Sequence, residues 1–345
     1  MATFTSATSG NWNVAATWGT GGLSGSGSPV AGTHYPHNSD EAHIDSGHTV
    51  TLVADVSVGN VVIDGGTLAG GGYKITCVKT SGRLFDHSGT ISGVLDLELQ
   101  GTHSTNEDLM GTGNVRNLTI NGSGLNVTTG RETTLDGTLT ITQGTVTTGN
   151  YGLTTGSDLS IAANGTLNGS GTANHSFASL TIASGGVYSA TSGTTTITSE
   201  KDHSGQGYGW RNDGGTFTHN KGLVKFDTPA NTIIKENTWY NFELYADGSS
   251  RQYEIRDVSG NEITFLGNLT LTAGRLKTTT STDTVTIHGN TSITSSAKCW
   301  HNAHQDTNKI THHGLVTNKG EFKINDGTTV KLNGGIRNMG TITVA

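Results

Sequence analysis

The sequence predicts an all-β chain: a parallel, right-handed β-helix (a β-solenoid) with an N-terminal cap region and loop insertions. Composition is the first observation behind this prediction. The 345 residues include 51 Gly and 59 Thr but only 3 Pro. Gly destabilises helix interiors, and the β-branched Thr side chain favours strands. The hydrophobic fraction of 32% is low for a sphere-like globule and suits stacked coils that each hold a small core.

A short repeat is the second observation. Four apolar-polar-apolar triplets follow one another at spacings of 21, 20 and 21 residues: 118–120 (LTI), 139–141 (LTI), 159–161 (LSI) and 180–182 (LTI). Each triplet is typical of a strand with one buried face. The interval leaves room for three short strands and their turns, which is one coil of a parallel β-helix. The spacing is less regular after residue 200, which predicts loops inserted between coils.

Recurring asparagines are the third observation. Asn precedes an apolar-x-apolar strand at Asn60, Asn117, Asn241 and Asn268. Asn tolerates a left-handed backbone and bonds to its own turn, and a solenoid needs a bend in every coil. We therefore interpret these positions as corners of the coils. The alternative is that Asn simply begins strands often.

The chain is expected to divide into four segments. Residues 1–50 contain Trp12, Trp18 and a Gly/Ser run, and we expect a cap and loop there, because an open solenoid end exposes unpaired strand edges. Residues 51–200 carry the regular repeat. Residues 201–265 are rich in aromatics and predict coils with insertions or a protruding subdomain. Residues 266–345 return to plain coils that end directly after a strand, so we expect a partner or further chain to cover them.

Charge and cysteine content narrow the class of protein. The formal net charge of −7 and the lack of a basic stripe argue against nucleic-acid binding. No apolar run is long enough to insert into a membrane, and the first residues lack the features of a signal peptide. Cys77 and Cys299 are far apart in sequence, so we expect no disulfide, and Cys77 is expected in the core.

Two segments resemble a known group of proteins. GNWNVAATWG (10–19) and DEAHIDSGHTVTLVADVSVGNVVIDGGTL (40–68) resemble the N-terminal part of Gly/Thr-rich β-helical surface proteins of phages and bacteria, including the eight-glycine type of domain. GGTFTHNKGLVKFDTPANTIIKENTWYNFELYADG (214–248) resembles a coil of phage virion proteins and secreted bacterial proteins. The resemblance implies a non-enzymatic structural or adhesive protein, often oligomeric, and it transfers no catalytic residue.

Carboxylate pairs are the candidates for polysaccharide cleavage, which requires two carboxyl groups at a controlled separation. Three pairs are close in sequence: Asp96 with Glu98, Glu107 with Asp108, and Glu200 with Asp202. Asp96 and Glu98 alternate with leucines and should project from one face of a strand. The same alternation also describes an ordinary solvent-facing strand, and we favour that interpretation.

Two histidine-rich stretches are candidates for metal binding, since imidazole is a common ligand. His301, His304, His312 and His313 form the first, and a trimer axis would bring symmetry-related copies together. His34, His37, His43 and His48 accompany Asp40, Glu41 and Asp45 in the second. Neither stretch contains a complete ligand motif, so a polar surface loop is the competing interpretation, and no cofactor is expected.

An aromatic patch is the candidate binding surface. Trp210, Trp239, Tyr240 and Tyr245 lie within the aromatic-rich segment and are predicted to stack on sugar rings or anchor a partner. The competing interpretation is that these rings fill the coils.

Together, these features favour a non-enzymatic structural component of a phage virion: a capsid decoration, head fibre or tail fibre. The expected partners are further copies of the chain, with a trimer favoured, and other virion proteins, and a host-surface glycan is a further candidate. The alternatives are a tailspike-like polysaccharide-degrading enzyme and a secreted bacterial β-helix adhesin on the cell surface.

Overall fold

The computed structural model describes residues 2–20, 28–107, 115–236, 238–245, 251–256, 262–278, 284–301, 309–324 and 328–344. The chain divides into two compact units, Met1–Asn168 and Gly169–Ala345. Both units consist of parallel strands wound into stacked coils, so the predicted all-β solenoid is confirmed. The four compositional segments do not coincide with this division. Within the described residues, no helix is long and apolar enough to span a bilayer.

The first unit contains one short 3-10 helix, Ala15–Trp18, and strands that are numbered along the chain. Its strands are β1 (Thr3–Thr5), β2 (Gly10–Asn11), β3 (Glu41–Asp45), β4 (Thr49–Thr51), β5 (Val56–Val58), β6 (Asn60–Asp64), β7 (Thr67–Ala69), β8 (Lys74–Cys77), β9 (Phe85–His87), β10 (Thr90–Ser92), β11 (Leu95–Leu99), β12 (Ser104–Glu107), β13 (Val115–Thr129), β14 (Thr133–Leu135), β15 (Leu139–Thr147), β16 (Leu153–Thr155) and β17 (Asp158–Asn168).

The second unit continues the numbering. Its strands are β18 (His175–Phe177), β19 (Ser179–Ile182), β20 (Val187–Ser189), β21 (Thr194–Ile197), β22 (Lys201–His203), β23 (Gln206–Asn212), β24 (Thr216–Thr218), β25 (Leu223–Phe226), β26 (Thr232–Lys235), β27 (Thr238–Trp239), β28 (Asn241–Leu244), β29 (Gln252–Ile255), β30 (Glu262–Phe265), β31 (Leu269–Leu271), β32 (Gly274–Thr278), β33 (Thr284–Ile287), β34 (Thr291–Ile293), β35 (Ala297–His301), β36 (Lys309–His312), β37 (Val316–Asn318), β38 (Glu321–Ile324), β39 (Thr329–Leu332), β40 (Ile336–Asn338) and β41 (Thr341–Val344).

The repeated triplets stack in register inside the first unit. Leu118 pairs with Leu139, and Leu139 pairs with Leu159, along the parallel ladder β13–β15–β17. The outer residues of each triplet are buried, whereas the middle Thr or Ser is partly exposed. Period-two alternation therefore sets the inward face, and the repeat length sets the coil. Cys77 is buried in β8, as expected, and neither Cys77 nor Cys299 is in a disulfide.

Asparagine side chains mark one corner of the second unit, but their mechanism differs from the prediction. Asn241 Oδ1 accepts the backbone N–H of Asn268 at 2.9 Å, and Asn268 Oδ1 accepts that of Asn290 at 2.9 Å. In the first unit Asn117 Oδ1 accepts the N–H of Thr138 in the same way. None of the predicted corner asparagines has a positive φ. Asn117, Asn241 and Asn268 connect one coil to the next through the side chain, and a left-handed backbone is not needed.

Residues 1–50 contribute strands as well as a loop segment. β1 pairs with β3 and β2 pairs with β4, both in parallel. Trp12 and Trp18 are buried against each other, with ring centroids 5.1 Å apart. The indole N–H of Trp12 donates to Pro36 O at 3.2 Å and anchors the loop that follows the 3-10 helix.

The second unit contains the inserted loop that the irregular spacing predicts. β22 and the start of β23 pair antiparallel as a hairpin, unlike the parallel ladders around them. The coils also vary in length: Phe242 pairs with Leu269, which pairs with Thr291, which pairs with Val316. Insertions therefore lie in the turns, while the strand registers are kept.

Candidate functional site

A groove lies beside β24 in the second unit. Its volume is about 570 Å³, and it is lined by Asn212, Gly214 to His219, Lys235, Glu236 and Thr238. Ligand sites usually fall between ~300 and ~1,000 Å³. The groove is thus large enough for a small molecule or a few units of a polymer.

The groove exists because the solenoid changes its strand arrangement at this level. β24 pairs in register with β20 below it, and among the described residues the register of β26 in the next coil is with β23. The next coil instead forms β27, which pairs upward with β30 and begins a different sheet. The stack of strands is therefore interrupted above β24, and we call this interruption the step. The upper edge of β24 faces the groove there.

The backbone of Phe217 points into this step. The ladder to β20 uses the amide of Thr216, which donates to Gly186 O at 2.8 Å, and the carbonyl of Thr218, which accepts from Ala190 N at 2.9 Å. Alternate residues of a parallel strand bond to opposite sides. The amide and carbonyl of Phe217 therefore lie on the groove side.

The Phe217 side chain lines the groove, and three buried aromatic side chains pack behind it. The Phe217 ring is half-buried and packs over the fully buried Tyr188, with centroids 5.8 Å apart and ring planes at 25°. Trp210 and Trp239 meet Phe217 at 4.8 and 5.7 Å. Their indole N–H groups have no hydrogen-bond partner among the described residues. Close packing on three sides fixes the orientation of the Phe217 ring.

Polar groups form the rim. Glu236 is almost fully buried, and its carboxylate accepts Asn212 Nδ2 at 2.8 Å and the Thr238 amide at 3.3 Å. Lys235 Nζ lies 2.7 Å from Asp213 Oδ1, and Arg211 Nε lies 2.8 Å from Asp213 Oδ2. Burial raises the pKa of Asp213, but the two cations outweigh it and hold that pKa below its usual value.

Rim charges cancel within this cluster. Two cations, Arg211 and Lys235, accompany two carboxylates, Asp213 and Glu236. His219 stacks on Tyr240 with centroids 5.5 Å apart, and burial lowers the pKa of His219, so its imidazole is neutral at pH 7. The groove therefore presents a fixed apolar ring inside a rim without net charge.

The predicted aromatic patch separates into buried and accessible members. Trp210 and Trp239 are completely buried, which corrects the hypothesis that they stack directly on a ligand. Their apolar rings fill the coils, because strand alternation points them inward. Tyr240 is partly exposed beside His219, and Tyr245 is 43% exposed with Lys225 Nζ 4.2 Å from its ring centroid. Phe217 is not among the predicted binding residues, because TFT at 216–218 looks like any other strand of the repeat.

The first histidine stretch does not gather into one cluster among the residues described. His312 is buried, with Nδ1 2.9 Å from Thr291 Oγ1, whereas His313 stacks on His288 at 5.1 Å outside the coil. His312 ends β36 and is buried, whereas His313 follows the strand and is exposed, which corrects the hypothesis that the two share a site. His301 ends β35, but its side chain and the whole of His304 lie outside the described residues.

The second histidine stretch is also dispersed into local contacts. His48 Nδ1 lies 2.9 Å from Ser6 Oγ, His34 Nδ1 accepts the Val30 amide, and His43 lies 3.7 Å from Glu41. Asp40 accepts the amides of Ala2 and His37. No group of three or more His, Cys, Asp or Glu residues able to hold a metal ion occurs in the described ranges.

Two of the carboxylate pairs can be located. Arg116 binds Asp96 through two nitrogens, with its Nη2 2.6 Å from Asp96 Oδ2, and Lys74 Nζ lies 2.8 Å from Glu98 Oε2. Burial raises the pKa of Glu98, but hydrogen bonds from Asn121, Lys74 and Gln100 outweigh it and lower the pKa overall. Glu200 and Asp202 flank the start of the hairpin. Asp108 and the side chain of Glu107 lie outside the described residues.

Comparisons with known proteins return no match. No protein-family model matches the chain, and neither a curated protein nor a solved structure matches it. The resemblance to phage and bacterial β-helical surface proteins therefore stays a prediction.

Proposed function

We propose that this chain is a non-enzymatic structural component of a phage virion, such as a capsid decoration, head fibre or tail fibre, that contributes to attachment at the host surface. We propose further that it acts as a homo-oligomer, with a trimer favoured, in contact with other virion proteins. The virion assignment rests on the sequence resemblance and on the Gly- and Thr-rich composition of the solenoid.

Cross-coil ion pairs are the observation that most directly supports a non-enzymatic role. The Lys74–Glu98, Arg116–Asp96 and Lys298–Glu321 pairs each connect residues of neighbouring coils at 2.6 to 2.9 Å. A general acid needs a raised pKa to keep its proton near neutral pH. The pKa of Glu98 is instead lowered, so Glu98 is unsuited to act as a general acid, and its ion pair with Lys74 ties neighbouring coils together.

Particle composition tests this proposal. We expect the chain among the structural proteins of density-purified particles from the phage or prophage that encodes it, beside capsid and portal genes. Peptide mass spectrometry identifies it there, and light scattering on the purified chain gives the mass of the oligomer. A chain that is missing from particles, or a gene outside any phage cluster, would contradict the virion role.

A polysaccharide-cleaving enzyme is the second candidate, and Glu200 is the observation that favours it. Burial raises the pKa of Glu200 more than a hydrogen bond with Thr232 lowers it, and the nearby Asp202 carboxylate raises it further. A carboxyl group that holds its proton is what glycoside hydrolysis requires of its acid.

Host polysaccharide distinguishes the two candidates. For the structural role we expect no new reducing ends and no unsaturated products after prolonged incubation with the purified chain. Products that disappear in Glu200→Gln, but persist in the exposed control Glu262→Gln, would replace the structural proposal with the enzymatic one.

A further inference from the structure

We propose that the groove beside β24 binds a neutral glycan by stacking a sugar ring on Phe217. The assignment rests on the proposed surface role and names a ligand class for it. Three properties of the groove carry the inference: an aromatic platform, uncharged hydrogen-bonding groups beside it, and a rim whose charges cancel.

The platform is built to be rigid. Phe217 is an inward-facing residue of β24 that is only half-buried and lines the groove, where the next coil diverges. Tyr188 packs against the ring from the coil below, and Trp210 and Trp239 also contact it. A fixed aromatic ring offers apolar contact area with little loss of side-chain entropy. The C–H face of a pyranose ring is flat and apolar and fits such a surface.

Neutral hydrogen-bonding groups surround the platform. The amide and carbonyl of Phe217 point into the groove, and the exposed side chains of Thr216 and Thr218 flank it on the same strand. These groups both donate and accept, as sugar hydroxyls do.

The charge balance selects the class of sugar. Arg211 and Lys235 both pair with Asp213, and the charged side chains among the described lining residues are Lys235 and Glu236, so the rim offers no excess positive charge to an acidic glycan. A polymer of uronic or sialic acids would need unpaired cations. Neutral hexose or N-acetylhexosamine chains need only the ring and the hydroxyl partners.

An extended peptide fits this edge less well. Strand addition gains its affinity from a row of main-chain hydrogen bonds. β24 has three residues, and only Phe217 directs its backbone groups to the groove. One amide and one carbonyl are too few to hold an added strand.

Titration calorimetry with maltohexaose, cellohexaose and chitohexaose tests the inference, with oligogalacturonate as the acidic comparison. We expect at least one neutral hexasaccharide to bind with a Kd of about 1 mM or tighter, and oligogalacturonate to bind more weakly. Because Trp210 and Trp239 touch Phe217, binding should also shift the tryptophan fluorescence.

Variants locate the binding. Phe217→Leu, which keeps an apolar side chain but removes the ring, should weaken binding by about tenfold, and Phe217→Tyr should restore it. If Phe217→Leu fails to fold, the exposed double variant Thr216→Ala/Thr218→Ala should still weaken binding by about threefold. Tyr151→Ala removes an exposed aromatic of the first unit and should bind like the parent.

The inference is overturned if none of the neutral hexasaccharides binds, if oligogalacturonate binds more tightly, or if both groove variants bind like the parent. An extended peptide that competes for the groove would also overturn it. These outcomes are separable from the virion role. A chain present in particles but unable to bind sugar loses only the groove assignment, and a chain absent from particles that binds sugar through Phe217 loses only the virion role.

Discussion

Two buried histidines show how the core of the second unit accommodates titratable groups. His175 Nδ1 lies 3.3 Å from the Tyr188 hydroxyl, which in turn lies 3.0 Å from Thr195 Oγ1. His312 Nδ1 lies 2.9 Å from Thr291 Oγ1. Burial lowers the pKa of both imidazoles from 6.5 to about 4. Both rings are therefore neutral in the folded chain at pH 7.

Stability should consequently fall in mild acid. Below pH 6.5 an unfolded chain protonates both histidines, whereas the folded chain does so only near pH 4, so their contribution is complete above pH 6.5 and lost as the pH falls to about 4. Each histidine accounts for at most about 3 kcal/mol of this loss. Thermal unfolding at several pH values measures it.

The variant His175→Leu isolates one of the two contributions, since Tyr188 retains its bond to Thr195. We expect a shallower decline of the melting temperature between pH 6.5 and pH 4 than in the parent chain. His37→Leu, in an exposed loop, is the matched control. An unchanged slope in His175→Leu would show that this ring does not govern the acid response.

A column of glycines is the feature that sets coil spacing at the element scale. Gly267, Gly289, Gly314 and Gly334 lie above one another at the corner where the asparagine side chains connect the coils. A Cβ at Gly289 would lie 2.4 Å from Gly267 O and 2.7 Å from Asn268 Oδ1. The backbone itself fills the space that a side chain would occupy, so these residues are glycine for close approach and need no unusual φ.

The substitution Gly289→Ala should therefore destabilise the second unit by about 2 kcal/mol, because the added methyl group meets a backbone carbonyl that cannot move alone. Chemical denaturation monitored by circular dichroism measures the loss. Ser292→Ala, on an exposed position of the same coil, should stay within about 0.5 kcal/mol of the parent. Equal stability of the two variants would contradict the close contact.

At the scale of the whole chain, the solenoid could be predicted because its signals are local. The alternation within each Leu-x-Ile triplet predicts a strand, and the spacing between triplets predicts the length of a coil. Both are observed in the paired registers of β13, β15 and β17. The candidate site could not be predicted in the same way. The groove depends on where β27 begins a new sheet. The sequence of residues 216–218 does not predict that the upper edge of β24 is open.

The ion-pair partners of charged residues could not be predicted from the sequence either. Asp96 and Glu98 were expected on one face of a strand, but their roles depend on Arg116 and Lys74, each 20 residues or more away along the chain. Sequence alternation gives the direction of a side chain and leaves its partner in the neighbouring coil undetermined. His312 and Trp210 were named as candidates because residue type alone does not distinguish an inward from an outward position.

The parallel registers also bear on how each unit reaches its native state. In the ladder from Phe242 to Leu269, Thr291 and Val316, successive partners are 27, 22 and 25 residues apart. Because the entropy cost of closing a loop grows only slowly with its length, closing one coil costs nearly the same as closing the next. Such a ladder can nucleate at any rung and lengthen in both directions. Until the next coil has folded onto it, the last strand of the ladder exposes unpaired backbone N–H and C=O groups that can pair with another chain. The rate at which coils are added therefore determines whether a chain completes its own ladder or pairs with the edge strand of a second chain.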